Sequence, residues 1–274
     1  MTYQSELNRH LAEYKRTVLG ISEAGLYRYR GVDLPYEHIL PVCHRRRNLL
    51  AEAEPLAERF LNNNPAKRHR YFHHLNSSQA FAFNLFFPFF SGANEISSIL
   101  LEAFGQYGKL TAWQLEDIPD KREGTNIDVW WKADNGLQTF CEVKLSETSF
   151  GKAKLDDDHL TKLRTIYAER LRDHLEPAQL EPSAFFRDYQ FYRNIWHMVG
   201  TEGSRLIFLL PRANTGLWKH LDGLLPCVLP ATRARISAVA IEDVLRRIAA
   251  DHDCPQPLRS YGTRLAEKYI IRQN

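Results

Sequence analysis

Apolar residues recur every three or four positions through most of the first hundred residues, and every second position after that. Residues 3–18 show the first spacing and predict an amphipathic helix. So do residues 46–61, where Leu49, Leu50, Ala53, Leu56, Ala57 and Phe60 fall on one side. "LNNNP" ends that helix, because an Asn run followed by Pro cannot continue it. "NSSQAFAFNLFFPFF" opens with cap-type residues and predicts a helix stopped near Pro88. "ANEISSILLEAFGQYG" predicts another, with Ile96, Ile99, Leu100 and Phe104 inward and a glycine stop.

From residue 111 the period becomes two. "TAWQLEDI" is a candidate strand; "NIDVWWKA" and "LQTFCEVKL" are stronger ones, rich in β-branched and aromatic residues. Helical sequence follows over 157–175 and again in "SAFFRDYQFYRNIWHMV". "SRLIFLLP" is nearly all apolar, as in a strand buried at a sheet centre, and "ISAVAIEDVLRRIAA" predicts a strand and then a helix. This order predicts an α/β domain with a mixed central sheet over residues 92–274 and a helical, basic extension over 1–91 packed on it.

Composition narrows the class. With 274 residues and 44% hydrophobic content, the chain can build a core. The polar start "MTYQSELNRHLAEYKR" is not a signal peptide, and "FAFNLFFPFF" is too short to span a bilayer. A soluble, cytoplasmic protein without a membrane partner is expected. Cys43, Cys141, Cys227 and Cys254 share no C-x-x-C spacing, so they predict four unrelated thiols and no zinc knuckle. The net charge is only +3, but cations crowd the first third in "RYR" (28–30), "CHRRRNLL" (43–50) and "KRHRYFHH" (67–74). Clusters mixed with rings suit a phosphate backbone, and Arg45, Arg46, Lys67 and Arg68 are candidate contacts. His69 and His73 are four apart, a chelating spacing on a helix, but no third ligand is evident and a basic surface is preferred.

The segment "NIDVWWKADNGLQTFCEVKLSE" (126–147) carries the chemistry. An Asn-Gly two-residue turn would pair Asp128 with Val143, mixing charge and core on both faces. A three-residue loop, Asp134-Asn135-Gly136, pairs Ala133 with Leu137 instead. One face then carries Ile127, Val129, Trp131, Ala133, Cys141, Val143 and Leu145. The other carries Asp128 opposite Glu142, beside Lys144. Opposed Cβ atoms lie roughly 4.5–5.5 Å apart, so two carboxylates there repel unless a cation or proton intervenes. A hard divalent ion held by oxygens resolves the conflict. On the later helix, Gln190 and Arg193 share a face and could grip a substrate phosphate.

Asp128, a turn, then Glu142-Val143-Lys144, set after a helix and a strand and before a crossover helix, resembles the PD-(D/E)XK nuclease superfamily. "SSQAFAFNLFFPF", "TNIDVWW", "CEVKLSE" and "DYQFYRN" look like one bacterial branch of it. The resemblance implies a restriction-endonuclease-like αβββαβ core over roughly residues 92–212. It implies Mg²⁺ or Mn²⁺ on Asp128, Glu142 and the Val143 carbonyl, with Lys144 orienting or deprotonating the attacking water. Gln190 resembles the Gln of some branches, Glu147 a support, and Glu95, Glu102 and Glu116 are all open candidates for a further acid. Ile127 stands where the name-giving proline would be, a minor departure. The function implied is a DNA-cleaving nuclease, as in restriction or defence, and many relatives are homodimers. The competing readings are an inactive nucleic-acid-binding protein of the same fold and a metal-dependent phosphoesterase on small substrates.

Overall fold

The computed structural model describes residues 2–271. In chain order, helix α1 (Tyr3–Thr17) leads to a hairpin of β1 (Gly25–Tyr29) and β2 (Val32–Tyr36), then α2 (Glu54–Asn63), α3 (Ser78–Phe90) and α4 (Asn94–Ala103). Strands β3 (Leu110–Asp117), β4 (Ile127–Ala133) and β5 (Gln138–Val143) follow. The crossover contains α5 (Asp157–Lys162), α6 (Ala168–Leu171), α7 (Pro182–Arg187) and α8 (Tyr189–Val199) before β6 (Arg205–Leu210). The chain closes with α9 (Thr215–Leu224), α10 (Pro230–Arg233), β7 (Ile236–Ala240), α11 (Ile241–Ala250) and α12 (Gln256–Tyr269).

These elements form two compact units: Met1–Lys109 with Ala240–Asn274, and Leu110–Val239. The boundary expected between residues 91 and 92 falls inside the first unit.

The first unit is not purely helical. Tyr29 pairs with Val32 across Arg30 and Gly31, both with positive φ, so a two-residue turn closes the β1–β2 hairpin. The helix expected over 46–61 is replaced by a 3-10 segment, Val42–Asn48, and a later α2. Asn48 explains the break: its buried amide donates to the carbonyls of Phe72 and His74, both at 2.7 Å. Pro55 then sits in the first turn of α2, where a missing N–H costs nothing.

Pro88 lies inside α3 rather than ending it. Proline removes the N–H that would reach the Asn84 carbonyl one turn back. The Tyr261 hydroxyl on α12 donates to that carbonyl instead, at 2.6 Å, so the helix continues with its backbone satisfied. Ser77 caps the start of α3, accepting from the Ala80 N–H.

The second unit holds a five-stranded sheet in the order β3-β4-β5-β6-β7. The β3–β4 and β4–β5 pairs are antiparallel and β5–β6 is parallel, so the sheet is mixed as expected. Strand β6 is the all-apolar segment, with Leu206, Ile207, Phe208, Leu209 and Leu210 buried on both faces. On one side, Phe140, Phe150, Phe191, Tyr192, Trp196 and Phe208 belong to one apolar cluster that fixes α8 on the sheet. The single helix expected over 183–199 divides at Asp188, whose φ of −125° and ψ of 42° are not helical. Its buried carboxylate pairs with Arg187 at 3.0 Å and His220 at 2.8 Å.

Candidate active site

Strands β4 and β5 adopt the register that the apolar pattern selects. Val129 pairs with Cys141, Trp130 with Phe140 and Trp131 with Thr139. The Ala133 N–H donates to the Leu137 carbonyl across the three-residue loop, and Gly136 has φ of 84°. Continued by one residue, this register sets Asp128 opposite Glu142. The Asp128 carboxylate accepts from the backbone N–H of Val143 at 2.8 Å.

The charges are not a solvated face. Glu142 is 3% exposed and Lys144 5%. Lys144 Nζ lies 2.7 Å from Glu142 Oε1 and donates to Gln190 Oε1 at 2.7 Å. Asn194 Nδ2 donates to Glu142 Oε2 at 2.8 Å, and Arg193 reaches the same oxygen at 3.7 Å. Gln190, Arg193 and Asn194 occupy one face of α8, at spacings of three and four. The sheet and α8 therefore close over the acid pair. The approach is tight beside Gly151: a Cβ there would stand 2.5 Å from the Gln190 amide, and φ is 61°.

Glu116 joins from the other side. Leu115 pairs with Val129 and Asp117 with Ile127, so Glu116 faces Asp128 across the β3–β4 ladder. Glu116 is buried, takes φ of 51°, and accepts from Asn126 Nδ2 at 2.9 Å. A left-handed glutamate in mid-strand is uncommon and concentrates at functional sites. Glu116, Asp128 and Glu142 thus lie in a row across three neighbouring strands. Glu95 and Glu102 are exposed on α4.

The electrostatics of the row are uneven. Burial pushes the Asp128 carboxyl well above the ordinary range, and the charges of Glu142 and Glu116 push it further; Lys144 and the Val143 N–H offset only part. Burial would also raise Glu142, but Lys144 and Arg193 hold it below its usual value. Burial opposes the Lys144 charge, yet Glu142, Glu147 and Asp128 outweigh it and its pKa is raised. Lys144 is a cation and a donor in this arrangement, and the Asp128 carboxyl is the one whose charge the surroundings oppose.

A second buried acid braces the site. Glu123, fully buried, accepts from Tyr167 at 2.5 Å, Tyr189 at 3.2 Å, the Thr125 N–H at 2.9 Å and the Thr125 hydroxyl. His197 Nε2 lies 3.4 Å away. Tyr189 and His197 are on α8, so this nest ties the segment before β4 to the helix that carries Gln190 and Asn194. Glu147 also acts as a support: it accepts from the N–H groups of Leu145 and Ser146 at 2.7 and 2.9 Å, holding the turn after β5.

The sequence candidates for backbone contact separate in the structure. Arg45 is exposed, whereas Arg46 and Arg68 both reach Glu58, at 3.3 and 3.4 Å, and Lys67 lies over the Phe60 ring at 5.5 Å. Arg193 is buried inside the site rather than displayed on a surface. Neither His69, in irregular chain, nor His73, in a turn, is on a helix, so their spacing does not bring them to one face. All four cysteines are free thiols, with Cys141 and Cys254 buried. Among the described residues, no group of three or more His, Cys, Asp and Glu side chains is arranged to hold a metal ion. No helix of the described residues is long and apolar enough to cross a membrane.

Asn194 and Glu123 were not site candidates from the sequence. Asn194 carried a signal, a polar residue four positions after Gln190 and so on the same face of the helix. Glu123 carried none, since "DKREGTN" reads as a charged loop.

Residues 8–270 match the family described as Restriction Endonuclease associating with ARP, and the chain belongs to that family. Comparison with curated proteins and with solved structures gives no match. The mixed α/β architecture is consistent with a restriction-endonuclease-like fold. The family points to a nuclease with DNA as its substrate.

Proposed function

We propose that this member of the restriction-endonuclease family hydrolyses DNA phosphodiester bonds with a divalent metal at Asp128 and Glu142 and with Lys144 beside it. The observation that carries the reading is the acid row, with Glu116 and Glu142 buried on either side of a half-buried Asp128 whose charge Lys144 offsets only in part. The donor set fits a hard cation: two carboxylates, with the Val143 carbonyl as a neutral oxygen. Mg²⁺ or Mn²⁺ bound there would screen the phosphate charge and lower the pKa of a bound water.

The chain's own residues supply the remainder. Lys144, held by Gln190, is a buried ammonium beside the acids. Because its pKa is raised, we assign it to orienting the attacking water and stabilising developing negative charge, not to taking a proton. Asn194 fixes one Glu142 oxygen and leaves the carboxylate oriented. Gln190 and Arg193 also face the phosphate path in this reading, Arg193 as the second buried cation. Glu116 tunes the charge at Asp128 from β3. Arg45 and Lys67, with Arg46 and Arg68 shared with Glu58, are assigned to the DNA backbone.

The test is a divalent-metal cleavage assay on long genomic DNA, linear duplex, single-stranded DNA and RNA, run beside Glu142→Ala. Metal-dependent cutting of DNA that disappears in the variant supports the reading. Equal cutting by both proteins contradicts it, and binding without cutting across several metals favours the inactive alternative.

A further inference from the structure

Two basic-aromatic motifs of the first unit, "RYR" and "KRHRYFHH", have no role in the acid site. The fold brings them together. The alternation of β1 and β2 puts Tyr27, Tyr29 and Tyr36 on one face of the hairpin. Tyr27 and Tyr29 stack at 6.2 Å, and Tyr27 meets Tyr71 at 5.2 Å and His74 at 5.8 Å. Beside this cluster lies a cleft of about 360 Å³ lined by Tyr27, Tyr36, His38 and His74 and by the amides of Gln4, Asn8 and Asn76. Its size falls in the range of about 300–1,000 Å³ typical of small-ligand sites.

The lining has a specific chemistry. It presents rings and neutral polar groups and no acid or base with a fixed charge. Burial pulls His38 down to about 4 and His74 down to about 3, so both imidazoles are neutral near neutral pH. Nε2 of His74 is buried without a hydrogen-bond partner among the described residues. Tyr36 is 41% exposed, so part of its ring is open to a ligand. Cations stand around the cleft rather than in it: Arg30 lies over Tyr29 and Arg70 over Tyr71, at 5.2 and 5.4 Å. A planar heteroaromatic ligand with donors and acceptors on its edge, attached to an anionic chain, matches all of these features.

We infer that the cleft bounded by Tyr27, Tyr36, His38, His74, Asn8 and Asn76 receives one unpaired nucleobase of the nucleic-acid substrate, stacked on Tyr36. The inference rests on the nuclease reading for its class of substrate, but the site belongs to the first unit and needs no metal. Arg30 and Arg70 hold the flanking phosphates, while amide and imidazole edges read the base. Unpaired DNA and RNA both offer this chemistry.

The test is metal-free binding by the full chain, in EDTA, of single-stranded DNA and RNA oligonucleotides carrying 2-aminopurine. The matched probes are the same DNA with an abasic site and the same DNA as a duplex. Stacking quenches 2-aminopurine fluorescence on binding. Tyr36 is exposed on a surface hairpin, so Tyr36→Ala folds, and it lowers affinity about tenfold and removes the quench. Tyr36→Phe retains both, and Asn76→Ala shows an intermediate loss. The DNA and RNA arms identify which strand the site prefers. The inference is overturned if Tyr36→Ala binds as tightly as the wild type, or if the abasic or duplex probe binds as well as the unpaired base. If Tyr36→Ala is without effect while Glu142→Ala still abolishes cleavage, the base site falls and the nuclease reading stands.

Discussion

Two acids of the sheet unit, Glu123 and Asp128, lie five residues apart and differ in almost every physical respect. Glu123 accepts from two tyrosine hydroxyls and from a threonine N–H and hydroxyl, with His197 Nε2 3.4 Å away. Burial alone would raise its pKa, but these partners together hold it far below the ordinary range. Asp128 has one backbone donor and faces two other acids. Burial therefore does not by itself decide what a carboxylate is for. The acid ringed by donors is a structural brace, and the acid facing other acids is the one assigned to the proposed cation.

The largest expected effect separates the acid sites by activity. Lys144→Ala should lower cleavage by about 10²–10³-fold or more, the usual cost of removing a group that stabilises developing charge. Far-UV circular dichroism of the variant should match the wild type, and undiminished cleavage would remove Lys144 from the mechanism.

The next effect falls on stability. Glu123→Ala leaves buried hydroxyls without an acceptor and should destabilise by about 3 kcal/mol, read from urea unfolding. A loss under about 0.5 kcal/mol would mean that the nest does not brace α8. The pH dependence follows from its sign. The folded-state pKa of Glu123 is depressed, so its contribution is present above the unfolded value near about 4.3 and is lost as pH falls.

Asp128 has the opposite sign. Its folded-state pKa is raised, so between about 3.9 and that raised value the folded protein holds the extra proton and stability falls as pH rises. Asp128→Asn removes the ionisation. It should stabilise the metal-free protein near neutral pH by about 1–2 kcal/mol, with the gain shrinking in acid, while cleavage is abolished. A destabilised Asp128→Asn variant would place Asp128 with Glu123 as a structural acid.

The smallest effect is positional. Asn194→Ala frees one Glu142 oxygen and should raise the metal concentration needed for half-maximal cleavage by about tenfold, with less change at saturation. Equal loss at saturating metal would give Asn194 a direct part in the chemistry.

The acid pair was legible in the sequence because strand parity is strict: a one-residue change of register exchanges the faces, and only one register buries Ile127, Val129, Trp131 and Val143 together. The order of strands and the crossover helix were legible for the same reason. Glu123 was not, because its partners Tyr167, Tyr189 and His197 are 44 or more positions away and no local period announces them. Two expected helices came out broken because side chains act on backbone. Asn48 spends its amide on distant carbonyls, and Asp188 is pinned by His220. Pro88 failed as a stop signal because Tyr261, far along the chain, supplies the missing donor. The β1–β2 hairpin was not legible because its alternation is short and its residues are largely exposed.

Calorimetric titration of the wild type and of Asp128→Asn with Mn²⁺, in two buffers of different ionisation enthalpy, separates a metal-binding Asp128 from a structural one. A cation that takes the place of the Asp128 proton must release it. The wild type should bind Mn²⁺ with net proton release near neutral pH, and Asp128→Asn should lose both the binding and the release. Binding of equal strength in the two proteins, or binding with no proton released, would contradict a metal-binding Asp128.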